Sequence, residues 1–324
     1  MTSEPDLPQR PEVLGSASRR ALPAARRRRS RQARNELIAG YAFASPALLL
    51  FALFIGVPLV GTFVLSFTQW DLLSGDFGWV AAENYARLAT DDVLPRVLLN
   101  SLLFSIATAT LHLIVGLLLA LAVNTAASRF IQAWSTVAYV FPFFVSAGAA
   151  ALLARYLLSP DFGPVNHYLA KVGIDGPNWL SDPVWALPSL VVLDMWQTAG
   201  FTFLIFLVGL QGIPKEYYEA ARIDGAGTLR RFFSITLPMI SPTTLFAMIV
   251  SFAGAFQIFT WPYIVTAGGP GGATRTIVYY IYEKAFRGFD IGYGAALGVL
   301  TIVILAAVTV IQLVASRRWV HYER

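Results

Sequence analysis

Long apolar segments separated by short polar ones are the main pattern of this chain. A run of about 20 apolar residues is long enough to cross the hydrocarbon core of a bilayer. Runs without charge cover residues 40–67, 97–123, 134–154, 239–262 and 291–316, and a sixth run, 185–212, is interrupted only by Asp194. Because an open strand would leave backbone groups unpaired in lipid, each run is predicted to be helical. The pattern predicts an all-α membrane protein with six transmembrane helices.

The composition supports this prediction and leaves no room for a large soluble domain. Hydrophobic residues make up 56% of the chain and charged residues 13%, with a mean hydropathy of +0.60. Soluble domains carry about 25% charged residues. We therefore predict a disordered basic tail over residues 1–35, a six-helix domain over 36–318 and a short polar end over 319–324.

The positions of the basic residues predict the orientation. Of the 24 lysines and arginines, 17 lie in the segments 1–35, 124–133, 213–238 and 317–324. Since cytoplasmic loops are enriched in Lys and Arg, both termini and the 213–238 loop are predicted to be cytoplasmic. The arginine-rich run 26–34 is more typical of a tail that binds anionic lipid headgroups than of a nucleic-acid-binding arm. A cleaved signal peptide fits poorly, because the first apolar run is too long and lacks a small-residue cleavage site at its end.

Residues with reactive side chains are few. The chain contains no cysteine, which excludes disulfides and thiolate metal sites. Its three histidines, His112, His167 and His321, lie in a predicted membrane helix, an outer loop and the C-terminal tail, so the interpretation is that each is structural. Neither a metal site nor a catalytic constellation is predicted.

The polar loop 213–238 is the most informative segment. Pro214 can open a helix, because its missing N–H is harmless at the first position. Good helix formers follow, and Gly225 and Gly227 are expected to end that helix, since glycine tolerates the left-handed conformation. A second short helix is predicted from Thr228 to Ser234, and Leu237-Pro238 leads into the fifth transmembrane helix. Two short helices at an angle are expected along one membrane face.

Two sets of residues resemble a known family. Glu219-Ala220-Ala221, Gly225 and Ile235-x-Leu237-Pro238 resemble, in type and spacing, the EAA loop with which importer-type ABC permeases dock into their nucleotide-binding subunits. A second set follows the fifth apolar run and resembles the outer segment of carbohydrate-uptake permeases of the maltose (MalF) and glycerol-3-phosphate (UgpA) type. The resemblance covers nearly all of 37–318. The second set consists of Phe256-Gln257, Tyr263 to Thr266, Gly268-Gly269-Pro270, Ala273-Thr274, Tyr279, Tyr282, Ala285-Phe286 and Gly292 to Ala296.

The resemblance implies a type I (MetI-like) ABC permease fold in a bacterial cell membrane and a subunit that is not itself an enzyme. It implies four kinds of partner: a second homologous permease, a dimer of cytoplasmic ATPases that binds ATP and Mg²⁺, an external solute-binding protein, and a sugar or glycerol-phosphate-like solute. This chain itself is expected to hold no cofactor and to bind no nucleic acid. The residues implied in ATPase coupling are Glu219, Ala220, Ala221, Asp224, Gly225, Ile235, Leu237 and Pro238.

Polar and aromatic residues within the apolar runs are candidates for the solute pathway. A carboxylate inside a membrane span is costly, so Asp194 is expected to face a cavity. A sugar needs hydrogen bonds for its hydroxyls and an aromatic surface for its apolar face. An alternative stays open, in which Asp194 lies near the outer helix end and binds backbone or a partner, and the glutamines join helices. The candidates are Asp194, Trp196, Gln197, Phe256, Gln257 and Trp261.

The sequence also leaves three other functions open for this chain. The main alternative is a secondary transporter or channel driven by an ion gradient, which the docking loop and the lack of an inverted repeat disfavour. A membrane enzyme and a non-enzymatic scaffold are the remaining hypotheses. The chain also departs from the maltose permease, because it has six predicted spans without additional N-terminal ones and no outer loop of domain size. Maltose itself is therefore in doubt as the solute.

Overall fold

The computed structural model of this chain describes residues 22–71, 73–125 and 128–321. The chain divides at Gly61 into two compact units, residues 1–61 and 62–324. The first unit, within its described part, consists of helix α1 (Leu22–Phe51), a π-helical turn (Ala52–Gly56) and the beginning of α2 (Val57–Leu65). Residues 1–21 of the predicted tail lie outside the described residues. The helix begins inside that predicted tail, as alanine and arginine are good helix formers.

The second unit begins with a small subdomain on the side that the sequence predicts to face outward, and it is called the outer subdomain below. Strands β1 (Thr68–Trp70) and β2 (Phe77–Trp79) form an antiparallel hairpin in which Gln69 pairs with Gly78. Helix α3 (Glu83–Thr90) follows. The buried amide of Asn84 donates hydrogen bonds to the carbonyl oxygens of Ser66 and Thr68, at 3.0 and 2.8 Å. This amide fastens α3 to the beginning of the hairpin.

The helical bundle is built around two long helices that lie against each other. These are α4 (Leu94–Asn124) and α8 (Ala186–Gln211), and α8 also contacts α5 (Arg129–Phe144) and α12 (Ser241–Phe256). Gly200 on α8 permits the close approach of α5, because a Cβ at this position would lie 2.3 Å from the carbonyl oxygen of Tyr139. Small residues at such crossings are typical of packed membrane helices.

The remaining elements complete the outer and loop segments. They are α6 (Ala147–Leu157), α7 (Pro164–Lys171), α9 (Lys215–Ile223), α10 (Thr228–Arg231), α11 (Leu237–Met239), α13 (Ile277–Tyr282) and α14 (Ile291–Ser316), with π-helical segments at Phe232–Thr236, Pro262–Thr266 and Glu283–Arg287.

The number of spans agrees with the prediction only when two of them are counted as bent. Four helical segments of the described chain are long and apolar enough to cross a membrane: Glu36–Leu65, Leu94–Asn124, Ala186–Gln211 and Ile291–Ser316. The other two are bent pairs. Arg129–Phe144 and Ala147–Leu157 meet at 92°, and Thr228–Met239 and Ser241–Phe256 meet at 65°. Hydropathy measures length and polarity along the chain, so it predicts the spans but not these bends.

Candidate coupling loop and solute cavity

The loop 213–238 forms two short helices, as predicted. Helix α9 ends with a Schellman motif: the N–H of Gly225 donates to the carbonyl of Arg222 at 3.1 Å, and the N–H of Ala226 donates to that of Ala221 at 2.8 Å. Gly225 has a φ of +73°, in the left-handed region that favours glycine. The prediction for Gly227 is wrong in one respect, because its backbone is extended at φ −68° and imposes no such requirement.

The second short helix is longer than predicted. It continues from Thr228 through the π-helical segment to Met239, so Ile235, Leu237 and Pro238 lie within it. The chain bends at Ile240, and the fifth membrane helix begins at Ser241. Pro238 lies in α11, directly after the π-helical segment and two residues before the bend.

The coupling residues divide into an exposed surface and an inner support. Glu219 and Ala220 are exposed on α9, and Asp224 is exposed directly after its end, while Ala221 and Ile235 are partly buried. The hydroxyls of Tyr218 and Thr236 lie 2.9 Å apart and join the two short helices. Large apolar side chains beside them are open to contact: Ile223 is 87% exposed and Leu229 75% exposed. This apolar exposure, together with the exposed Glu219, fits a surface that binds another protein.

A cavity of about 220 Å³ lies between α4, α5, α8 and α12. Of the six residues predicted for the solute pathway, Asp194 alone lines it. Its other polar walls come from His112, Thr198, Thr202 and Ser251. The cavity therefore places hydroxyls, an imidazole and a carboxylate among apolar helices, where polar groups are costly and usually functional.

Asp194 is the centre of a buried hydrogen-bonded cluster. Its Oδ1 accepts a hydrogen bond of 3.1 Å from the indole N–H of Trp261, and its Oδ2 lies 3.3 Å from the Thr198 hydroxyl. The Nε2 of His112 lies 2.6 Å from that hydroxyl and 3.6 Å from Asp194 Oδ2. Sequence reasoning missed His112, although a polar residue inside a span is itself a signal of function.

The other predicted pathway residues lie elsewhere. Phe256 is fully buried in a different apolar cluster, where it stacks on Phe252. Gln197 is buried and donates to the carbonyl of Val145 at 3.0 Å, which supports the bend between α5 and α6. Trp196 is 47% exposed. Gln257 is exposed and its side chain donates to the carbonyl of Ala253 within its own helix.

The segment that contains the second set of resemblance residues packs against the beginning of α4. The Asn100 amide donates to the carbonyl of Gly272 at 2.8 Å, and Ser101 accepts a hydrogen bond of 2.8 Å from the N–H of Ile277. The hydroxyls of Tyr280 and Tyr293 both donate to Asp91 Oδ2. The segment that follows α12 is therefore held to the outer subdomain by polar side chains.

Comparison with known proteins shows the class of membrane protein to which this fold belongs. Residues 112–321 match the model of a family described as the inner membrane component of binding-protein-dependent transport systems. The chain belongs to this family. Its fold is the MetI-like permease fold, found in multi-pass membrane proteins of bacteria.

Named relatives are similar over most of the chain. It is 33% identical over 280 residues to the trehalose/maltose transport system permease protein of Thermococcus litoralis, covering 86% of this chain and 93% of the relative. It is 37% identical over 255 residues to the sn-glycerol-3-phosphate transport system permease protein of Yersinia pestis, covering 78% and 84%. It is 34% identical over 271 residues to the sulfoquinovosyl glycerol transport system permease protein of Agrobacterium fabrum, covering 83% and 87%.

A solved structure confirms the architecture. A chain of a bacterial ABC transporter involved in the import of the acidic polysaccharide alginate superposes with a TM-score of 0.78 at 24% identity. The match covers 90% of this chain and 99% of the other. The match shows that the two chains share a fold.

Proposed function

We propose that this chain is one of two permease subunits of an ATP-driven importer for a carbohydrate-like solute. The observation that supports it most directly is the exposed pair of short helices on either side of Gly225, called the lever below. Such a pair can transmit movement only if another protein binds it and moves it. Relatives named for trehalose/maltose and sn-glycerol-3-phosphate transport support the class of solute. The chain itself is proposed to be non-catalytic, and it contains no Gly-x-x-x-x-Gly-Lys-Ser/Thr sequence for binding nucleotide.

The docking step uses the exposed face of α9. Ala220 is small enough to let α9 enter a cleft closely, and Glu219 supplies a fixed charge beside it. The bond between Tyr218 and Thr236 makes the two helices move together. Because the second helix continues into α12 across the bend at Ile240, a displacement of the lever reaches the helix that carries Ser251 at the cavity.

The partners follow from the number of docking loops. This chain has one such loop. A two-fold ATPase dimer that binds ATP and Mg²⁺ has two equivalent docking sites, so its other site needs a second, homologous permease. The N-in, C-in orientation predicted from the basic residues places the loop on the ATPase side. An external binding protein supplies the solute at high local concentration, so a weak site in the membrane suffices.

The cavity beside Asp194 is proposed as this subunit's share of the solute pathway. Its volume of about 220 Å³ is below the roughly 300–1,000 Å³ of complete small-molecule sites. A second permease would add the remaining wall. Thr198, Thr202 and Ser251 offer hydroxyls to the hydroxyls of a solute, and Phe143 and Phe201 offer an aromatic surface.

The test is uptake by proteoliposomes that contain both permeases and the ATPase, with the binding protein outside. We expect uptake that requires enclosed ATP and persists when ionophores collapse all ion gradients. Uptake without ATP that the ionophores abolish would support a gradient-driven transporter instead. Solute-independent ATP hydrolysis with no uptake would support a scaffold.

A further inference from the structure

We propose that the cavity beside Asp194 admits uncharged groups and excludes anionic ones, so that the solute of this permease is a neutral carbohydrate. The inference rests on the proposed function, since it assumes that the cavity is part of the solute pathway. Relatives are named for both neutral and anionic solutes, among them trehalose/maltose and sn-glycerol-3-phosphate. Similarity alone therefore leaves the charge of the solute open.

The charges on the cavity wall carry the argument. Within the described chain, the side chains that line the cavity include one carboxylate, Asp194, and one imidazole, His112, but no lysine or arginine. Sites that bind phosphate or carboxylate use Arg or Lys, which supply a positive charge and several donors. The wall contributed by this chain offers an anion no such group.

His112 does not supply the missing positive charge. Its Nε2 lies 3.6 Å from Asp194 Oδ2 and 2.6 Å from the Thr198 hydroxyl. A protonated His112 would thus be paired with the Asp194 carboxylate, and the pair would be neutral. A neutral His112 would leave the carboxylate as the net charge. In either state the cavity wall is not positive, so an anion would enter a poorly solvated space without a counter-charge.

The cavity wall suits an uncharged polyol, which needs hydrogen bonds and an aromatic surface but no counter-charge. The polyol's hydroxyls can exchange hydrogen bonds with Thr202 and Ser251, whose hydroxyls lie 3.4 Å apart and both donate and accept. The Thr198 hydroxyl already donates to the main-chain carbonyl of Asp194, so its oxygen can act only as an acceptor. The rings of Phe143 and Phe201 stack with their centroids 5.6 Å apart, and both line the cavity. Such an aromatic surface suits the apolar face of a sugar ring.

Gly254 offers an exposed probe position on the cavity wall. It lines the cavity, and a Cβ at this residue would meet no atom within 4 Å. The natural chain contains no cysteine, so Gly254→Cys introduces one thiol into it. In the assembled transporter, this thiol is treated with methanethiosulfonate reagents that carry a neutral hydroxyethyl, an anionic sulfonatoethyl or a cationic trimethylammonioethyl group. Modification of this chain is followed after electrophoresis, and each rate is divided by that for free 2-mercaptoethanol.

We expect the normalised rate of the anionic reagent to be about ten-fold below that of the neutral one, because the Asp194 carboxylate on the cavity wall repels a like charge at short range. The cationic reagent should react at least as fast as the neutral one. In the Gly254→Cys, Asp194→Asn double variant, the difference between anionic and neutral reagents should become small. A second double variant, Gly254→Cys with His112→Gln, should keep the exclusion, since it removes the imidazole and leaves the carboxylate.

Three results would overturn the proposal. They are equal normalised rates for the anionic and neutral reagents in the Gly254→Cys transporter, no reaction with any reagent, and unchanged exclusion in a folded Asp194→Asn double variant. The single variant decides the first two results even where Asp194→Asn prevents assembly. Failure here remains distinct from failure of the proposed function, because ATP-dependent uptake is measured separately on the unmodified transporter.

Discussion

Replacement of Gly225 by valine tests whether the geometry of the two short helices transmits ATPase movement. Gly225 has a φ of +73°, and a Cβ there would meet no atom within 4 Å, so the cost of Gly225→Val comes from the backbone alone. The left-handed conformation costs a side chain about 1–2 kcal/mol. If the turn relaxes instead, the chain loses the bonds from Gly225 to Arg222 and from Ala226 to Ala221, each worth about 1 kcal/mol.

Both routes therefore cost about 2 kcal/mol, which is well below the 5–15 kcal/mol that stabilise a typical domain. The variant should fold, insert and bind its partners. However, the angle between the two short helices that is most populated should change. A difference of 1–2 kcal/mol corresponds to roughly a 5- to 30-fold change in an equilibrium. We expect solute-stimulated ATP hydrolysis and uptake to fall by about that factor in proteoliposomes.

Gly227→Val is the matched control. Gly227 also has no atom within 4 Å of a Cβ, but its backbone is extended and suits valine. Its uptake should stay near that of the natural chain. If Gly225→Val transported as well as Gly227→Val at equal copurified ATPase, the left-handed turn would have no role in coupling.

Further predictions concern docking, topology, the solute cavity and the outer subdomain. Glu219→Lys should reduce copurification of the ATPase more than Glu216→Lys on the same short helix, and equal retention would contradict the docking role of Glu219. A cysteine at Gly271 should react with an impermeant thiol reagent in intact cells and one at Gly227 should not; the reverse would contradict the orientation. Ser251→Ala and Phe201→Ala alter the wall of the cavity and should impair uptake while leaving basal ATP hydrolysis intact, whereas loss of assembly with normal transport per complex would identify packing residues. Burial alone would raise the pKa of Asp91. Hydrogen bonds from Tyr280, Tyr293 and two backbone amides lower this pKa by more, so that it lies below its ordinary value. The stability that this carboxylate contributes is then present above the unfolded pKa of about 3.9 and is lost as the pH falls through the folded value. Asp91→Asn should lower the melting temperature at pH 7, and this difference should shrink progressively as the pH falls below about 4; a pH-independent difference would refute the assignment.

The spans and the coupling helices could be predicted from sequence because their causes are local. Hydrocarbon thickness sets the length of an apolar run, and Pro214 and Gly225 mark a helix start and end by their own backbone chemistry. The 65° bend at Ile240 could not be predicted in this way, because it arises where the second short helix meets α12 in the packed bundle. Pro238 was its nearest signal, and it was assigned to the entry of the helix beyond the bend.

The cavity was only partly predictable because its walls come from distant segments. The cost of a carboxylate in a span correctly indicated that Asp194 faces a cavity. The contact with His112 on α4 depends on how α4 packs against α8, and no local pattern encodes it. Phe256 was predicted for the solute pathway, but the structure places it in a packed apolar core. An aromatic residue beside a glutamine suits either position, so the sequence alone does not distinguish them.

The central claim, that α9 docks into an ATPase, is tested most directly by site-specific photo-cross-linking in the assembled transporter. A photoreactive benzoylphenylalanine replaces Ala220, which is exposed on α9, or Phe286, which is 61% exposed in the outer segment, as the control. We expect irradiation to join the Ala220 position to the ATPase subunit and the Phe286 position to no ATPase. Absence of an ATPase adduct at Ala220, or an adduct of equal yield at Phe286, would contradict the account.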